Sequence, residues 1–337
     1  MRSKILYIGN KLSNKGNTVT TIETLGLLLE KEGYTLYYAS SKENQVVRML
    51  DMIYKTIQYR TKVDYVLIDT YNTLNFWYAF IISQMCRWFK LKYVPILHGG
   101  DLPNRLRKSP KLSELIFKNA YKNSAPSGYL LEAFKNKGYA EIVFIPNTIE
   151  LENYPFELRY DSSPQILWVR SLCDIYNPEM ALKVFYEIKK EFPEATLCMV
   201  GPDKVNILPK LKELAKQLNL EVTFTGKMKK AEWVALSKNY SVFINTTHFD
   251  NTPVSVMEAM ALGLPVVSTN VGGIPYLLED HKTALLVDDN DVQAMVDGIK
   301  KLTNDPKFKD QMVQNALEMV SAFDWNAVKH KWNEILD

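Results

Sequence analysis

Cysteine is scarce: Cys86, Cys173 and Cys198 are the only three in 337 residues, odd in number and far apart. That excludes a disulfide framework and a Cys-based zinc site, and it points to a reducing compartment. His248, His281 and His330 lack metal-ligand spacing. No repeat or low-complexity tract occurs, and 14 Gly and 15 Pro are ordinary numbers. Fibrous and collagen-like chains are thereby ruled out. The most apolar stretch, Phe76–Met85 (FWYAFIISQM), is about half of what a bilayer span needs and reads as a buried helix. Met-Arg-Ser-Lys passes straight into a strand-like run, without a signal-peptide apolar region, so a cytoplasmic location is expected. Neither G-x-G-x-x-G nor G-x-S-x-G is present, which argues against a nicotinamide dehydrogenase and a serine hydrolase.

What is present is the balance of a folded chain, 47% hydrophobic and 23% charged. The length exceeds one ordinary core and implies two domains of roughly 150 residues. Net charge is only +3, yet residues 86–138 hold eleven Lys/Arg against three acids. Trp88, Phe89, Tyr93 and Phe117 are interleaved with them. That segment is either a solvated helical surface or a contact for something anionic, such as a membrane face. No nucleic acid is expected.

Short apolar runs alternate with helical patterns, the mark of open, mostly parallel α/β sheets. The spacing predicts strands at Ile5–Gly9, Tyr34–Ala39, Val63–Asp69, Tyr93–His98 and Glu141–Pro146. Asn147–Ser163, with Pro155 and no clear period, reads as a linker. The pattern then restarts with strands at Gln165–Val169, Ala195–Gly201, Glu221–Thr225, Ser241–Asn245 and Pro265–Ser268, separated by helices. Two doubly wound units in series follow, with ligands expected at the carboxyl ends of the strands and in a cleft between the units.

The richest segment is Asp250-Asn-Thr-Pro-Val-Ser-Val-Met-Glu258-Ala-Met-Ala-Leu-Gly-Leu-Pro265. Thr252 suits an N-cap, Pro253 the first helical position, and Gly263 the position after the C-cap. The N–H groups of Val254, Ser255 and Val256 would then form a phosphate site at the helix N-terminus. Glu258 lies inside an apolar run and needs a partner: a ribose diol, or an Arg or backbone group. Asp250 could touch what projects beyond the phosphates. Gly272-Gly273 permits close backbone approach to a ligand. Asp289-Asn-Asp291 looks like a metal motif, but Asp291 is more simply a helix N-cap.

Asp250-x7-Glu258, continuing as EAMALGLPVVSTNVGGIPYLL and Ala284-Leu-Leu-Val287, resembles the donor-site signature of the family 4 glycosyltransferases. Ile8-Gly-Asn with Lys15-Gly16 is similar to that family's N-terminal glycine loop near the diphosphate. His98-Gly-Gly-Asp101 is similar to its histidine facing the donor sugar, Ile145-Pro-Asn147 to its interdomain element, and Phe323-Asp-Trp325 to the start of its closing helix. The resemblance implies a GT-B fold: two Rossmann-like doubly wound domains facing a cleft, with the C-terminal helix crossing back. Residues 1–155 and 323–337 would be the acceptor-binding domain, and 156–322 the nucleotide-sugar-binding domain.

The same resemblance implies a metal-independent, retaining hexosyltransferase without cofactor, moving a sugar from a nucleotide-sugar, expected to be a UDP-sugar. The acceptor would be a glycan or a lipid-linked molecule, as in bacterial surface polysaccharide synthesis. The chain would be cytoplasmic, with peripheral contact to an anionic membrane through 86–138. Carried over by position, His98, Asp250 and Arg170 are catalytic. Lys15, Gly16, Gly226, Lys227, Met228, Val254, Ser255, Val256 and Glu258 bind the nucleotide-sugar, with the base near Gly226-Lys227-Met228. Two departures stand out. Asp250 replaces the family's Glu, and no Lys occupies the family's diphosphate position, leaving Arg170, Lys15 or Lys227 to neutralise phosphate. A nucleotide-sugar epimerase or a non-catalytic nucleotide-binding module are the rival readings.

Overall fold

Parallel strands covered on both faces read as near-continuous apolar runs, and the chain carries two series of them. In a computed structural model, which describes residues 2–12 and 20–337, they form two six-stranded sheets in two compact units. One unit is Met1–Thr148 with Val328–Asp337, the other Ile149–Ala327.

The first unit runs β1 (Lys4–Ile8), α1 (Thr21–Lys31), β2 (Thr35–Ala39), α2 (Gln45–Tyr59), β3 (Tyr65–Thr70), α3 (Asn75–Phe89), β4 (Lys92–Leu97), α4 (Leu102–Lys108), α5 (Pro110–Phe117), β5 (Asn123–Ala125), α6 (Gly128–Lys135) and β6 (Ile142–Phe144). The parallel order β2-β1-β3-β4-β5-β6 reverses direction between β1 and β3. Every residue of β3 is buried. The apolar run 76–85 forms most of α3, which buries Phe76, Tyr78, Ala79, Ile82 and Cys86. Short, polar β5 gives no sequence signal, and it pairs with β4 only at Ile96 and Ser124.

The second unit runs β7 (Gln165–Val169), α7 (Pro178–Glu191), β8 (Thr196–Val200), α8 (Leu208–Gln217), β9 (Thr223–Gly226), α9 (Lys230–Leu236), β10 (Val242–Asn245), α10 (Val254–Ala261), β11 (Val266–Thr269), β12 (Leu285–Val287), α11 (Val292–Asn304), α12 (Pro306–Ser321) and α13 (Trp325–Leu336). Its order, β12-β11-β10-β7-β8-β9, reverses between β7 and β10. The end of α13 belongs to the first unit: Val328 and Leu336 are fully buried, Leu336 O accepts from Ser3 Oγ at 2.6 Å, and Asn333 Oδ1 accepts from Tyr34 at 3.0 Å.

The stretch 149–163 is irregular, as Pro155 and the lack of a period predict, but it is tied to the second unit. Buried Arg159 donates through Nη1 to Glu157 O and Leu262 O, each at 2.6 Å, so a cation sits at the carbonyl end of α10, where the helix dipole favours it.

Candidate functional site

Ligands of open α/β sheets bind beyond the strand ends where the order reverses. In the second unit that point lies between β7 and β10. Arg170 follows β7 directly, and its Nη2 donates to Asp250 Oδ2 at 2.6 Å. Nε donates to Asn245 Oδ1, at the end of β10, at 3.3 Å, and the guanidinium lies 4.9 Å from the Tyr176 ring. A Cβ at Gly201 would come within 1.7 Å of Arg170 O, so only glycine leaves this turn its place. Arg170 and Asp250 are thus brought together, as two of the three predicted catalytic residues.

The loop holding Asp250 rests on Gly272 and Gly273. Gly273 N donates to Asp250 O at 2.8 Å, and Cβ atoms at these glycines would come within 2.3 Å of Asp250 O and 1.9 Å of Asn251 O. The double glycine was expected to admit a ligand. It admits the protein's own backbone instead, because the two loops pack directly on each other.

Helix α10 begins one residue later than expected. Pro253, extended at φ −70° and ψ 111°, is the N-cap, and no side chain caps the helix, so Thr252 does not take that role. Val256 N already donates to Pro253 O at 3.1 Å, which removes it from the predicted phosphate site. Val254 and Ser255 remain at the first turn, and the buried Ser255 Oγ has no partner among the described residues.

Glu258, only 5% exposed, has found the partner it needs. Its Oε1 accepts from Tyr154 at 2.7 Å and faces Lys230 Nζ at 2.8 Å. Burial first, then the Glu258 charge, pushes the Tyr154 phenol far above its usual range, so it stays a donor. Gly226 is left-handed, with φ +70°, and its carbonyl accepts from Gly201 N at 2.9 Å. Lys227 is exposed and Met228 packs on the core of the unit. The turn from β9 into α9 places Lys230, not Lys227, beside Glu258. Sequence reading missed Tyr154 and Lys230; an aromatic residue in a proline-bounded linker was the one available signal.

In the first unit the reversal falls between β1 and β3. His98 Nε2 lies 2.8 Å from Asp69 Oδ1, which also accepts from Tyr7 at 3.1 Å. Burial, then Asp69, raises the Tyr7 phenol well above its ordinary value, and the same causes in the same order raise Tyr71, whose ring is 5.2 Å from that of His98. Asp69 Oδ2 is buried without a partner among the described residues, and a Cβ on Gly9 would come within 2.4 Å of it. Asp69 was not predicted as a site residue, although an acid ending the apolar run Tyr65–Asp69 is the signal that strand-end chemistry leaves in a sequence. Lys15 and Gly16 lie outside the described residues.

Asp291 caps α11, accepting from Ala294 N at 2.9 Å, and Asp289 is engaged by His248 Nδ1 at 2.8 Å. Among the described residues no group of three or more His, Cys, Asp or Glu could hold a metal ion. No described helix is long and apolar enough to cross a membrane.

Residues 152–319 match the family of glycosyl transferases, group 1, a stretch that contains Arg170, Asp250 and Glu258. An uncharacterized glycosyltransferase of Haemophilus influenzae is 29% identical over 61% of this chain and 57% of its own length. The D-inositol 3-phosphate glycosyltransferase of Corynebacterium glutamicum is 26% identical over 48% of this chain and 40% of its own length. The matches therefore span about half of these relatives. Among solved structures, Anabaena HepE in complex with UDP and glucose superimposes with a TM-score of 0.78 at 18% identity, covering 99% of both chains. Residues 152–319 are thus similar to the group 1 glycosyl transferases, on a chain of GT-B fold.

Proposed function

We propose that the protein is a retaining, metal-independent glycosyltransferase of family 4 that takes its sugar from a UDP-sugar. The observation that carries the reading is Glu258: a buried carboxylate in α10, eight residues beyond the Asp250 that Arg170 holds. Tyr154 and Lys230 share its Oε1, and a ribose diol is the natural donor to such a carboxylate. The HepE structure with UDP and glucose supports uridine as the base, with Gly226, Lys227 and Met228 beside it.

Expelling UDP from the anomeric carbon builds charge on the diphosphate. Arg170 has five N–H donors and uses two groups, Nη2 and Nε, on Asp250 and Asn245, which leaves Nη1 for phosphate. The first turn of α10, at Val254 and Ser255, adds backbone donors. Lys15 and Gly16 belong to the same phosphate-binding reading. Asp250 and His98 act on sugar hydroxyls. Retention follows from front-face attack, the departing phosphate oxygen taking the acceptor's proton, so neither Asp250 nor Glu258 serves as nucleophile. A glycan or lipid-linked acceptor in surface polysaccharide synthesis completes the proposal.

The test is calorimetric titration of UDP, GDP and ADP in excess EDTA, with Glu258→Gln alongside. Loss of a charge-assisted contact of about 1.5–3 kcal/mol predicts roughly ten- to hundredfold weaker UDP binding. Unchanged affinity in the folded mutant sinks the ribose assignment. Acceptor-dependent release of UDP from UDP-glucose then separates a transferase from an epimerase or a silent binding module.

A further inference from the structure

Shortly after Arg170 the chain makes one tight turn, Asp174–Tyr176, before it enters α7. The ties of that turn run to a distant segment. The Thr246 hydroxyl donates toward Tyr176 O and Asn177 O, each 2.9 Å away, and accepts from Trp168 Nε1 at 3.0 Å. Ile175 O accepts from Thr247 Oγ1 at 3.0 Å and from His248 N at 2.8 Å. Thr246, Thr247 and Trp168 are fully buried. Asn177 then takes a left-handed backbone, φ +46°, and caps α7 by accepting from Met180 N. The turn is thus sewn to the segment that carries β10 into Asp250, and buried, satisfied hydrogen bonds of this kind fix both together.

What the turn presents is the ring of Tyr176. That ring packs on the core of the second unit but stays only partly buried. The Arg170 guanidinium lies 4.9 Å from its centroid, within the range of cation–π attraction. Burial raises the Tyr176 phenol and the Arg170 charge lowers it, with burial the larger cause, so the ring stays neutral. Asp250 and Asn245 hold the same guanidinium through Nη2 and Nε. Those bonds lie along the plane of the group and set its direction. A ring against it resists tilting out of that plane.

We infer that Tyr176 is a positioning residue of the donor site: its ring clamps the Arg170 guanidinium so that Nη1 stays presented to the departing diphosphate. The inference rests on the donor-site reading proposed above. An arginine loses much rotamer freedom when it is ordered, and here that loss is incurred on folding rather than at the moment of reaction. A cation already in place needs no reorganisation as negative charge builds on the leaving group. The ring, not the hydroxyl, carries this role, so phenylalanine should keep it and leucine should not. Lys230, the other cation found at the site, is engaged by Glu258 and does not share the task.

The chain has eight arginines, few enough for the Arg170 Nε signal to be assigned by nitrogen NMR as the one lost in Arg170→Lys. In Tyr176→Leu that signal should lose its ring-current shift and exchange faster with water; in Tyr176→Phe it should do neither. Turnover is read as UDP released from UDP-glucose with water as acceptor. In Tyr176→Leu kcat should fall about tenfold, with KM changed less than about threefold, and Tyr176→Phe should restore most of the loss. Thermal melts certify folding, and Tyr176→Met replaces the leucine variant if that one melts early. Parental kcat and a parental Arg170 signal in the ringless variant overturn the inference. So does an equal loss in Tyr176→Phe, which would move the role to the hydroxyl, or a loss confined to KM. In each of those cases UDP still binds and the donor reading stands. A parent chain that binds no UDP defeats the donor reading itself, and the role of Tyr176 with it.

Discussion

Arg170 and Asp250, 80 residues apart in the chain, meet at 2.6 Å with both side chains largely buried. The pair crosses the reversal point of the second sheet, one partner leaving β7 and the other following β10. Asp250→Ala should lower kcat/KM about a hundredfold, close to 2.7 kcal/mol, while UDP affinity changes less than about threefold, because in the proposed function the carboxylate addresses sugar rather than nucleotide. Arg170→Lys should not rescue Arg170→Ala, since a point charge cannot keep both Asp250 and Asn245. Steady-state kinetics with parallel UDP titrations would check both.

Tyr154 offers a finer probe than Glu258 itself. Tyr154→Phe keeps the ring and removes only the donor to Oε1, leaving Lys230 in place. A stability loss of about 0.5–1.5 kcal/mol is expected, or up to about 3 because the acceptor is charged. Urea unfolding would measure it, and a midpoint equal to that of the parent would show that the 2.7 Å bond contributes nothing.

Asp69 supports His98 and Tyr7 at once. Asp69→Ala leaves the buried Tyr7 hydroxyl without its acceptor and frees the imidazole. The cost should be about 1–3 kcal/mol, and the ring of His98 should turn. Imidazole nitrogen shifts in the two proteins report the tautomer directly; identical shifts would mean that Asp69 does not orient the ring.

Alkaline pH should unfold the protein in a defined window. Burial lifts the Cys86 thiol from 9.0 to about 12, and burial with the Asp337 bond lifts Tyr34 from 10.0 to about 12. Between those limits the folded chain keeps protons that the unfolded chain has released. Their stabilisation is therefore full below about pH 9 and is lost as pH rises toward about 12, at up to roughly 1.4 kcal/mol per pH unit for Cys86. Urea midpoints across that range would show the slope, and Cys86→Ala should flatten it.

The repeating strand and helix order was legible because strands such as Tyr65–Thr70 are buried on both faces and so are apolar through most of their length, here up to Ile68. Asp250 and Glu258 were legible because they precede and occupy a helix bounded by Pro253 and Gly263, and Arg170 only through the family resemblance. Asp69, Tyr154 and Lys230 were not, because what singles them out is a contact across 29, 104 and 28 residues respectively, which no local spacing encodes. The start of α10 was misjudged for a local reason. Thr252 has the chemistry of an N-cap, but Pro253 takes the extended backbone of that position.

The packing of Gly272 and Gly273 under the Asp250 loop makes the reach of that carboxylate a property of residues that hold no substrate. With only hydrogen atoms between the two backbones, the loop stands at its greatest depth. A side chain at 272 or 273 would lift it and carry Asp250 outward. If Asp250 addresses the sugar as proposed, sugar choice is tunable from behind the site, by the thickness of a loop rather than by the identity of a contact.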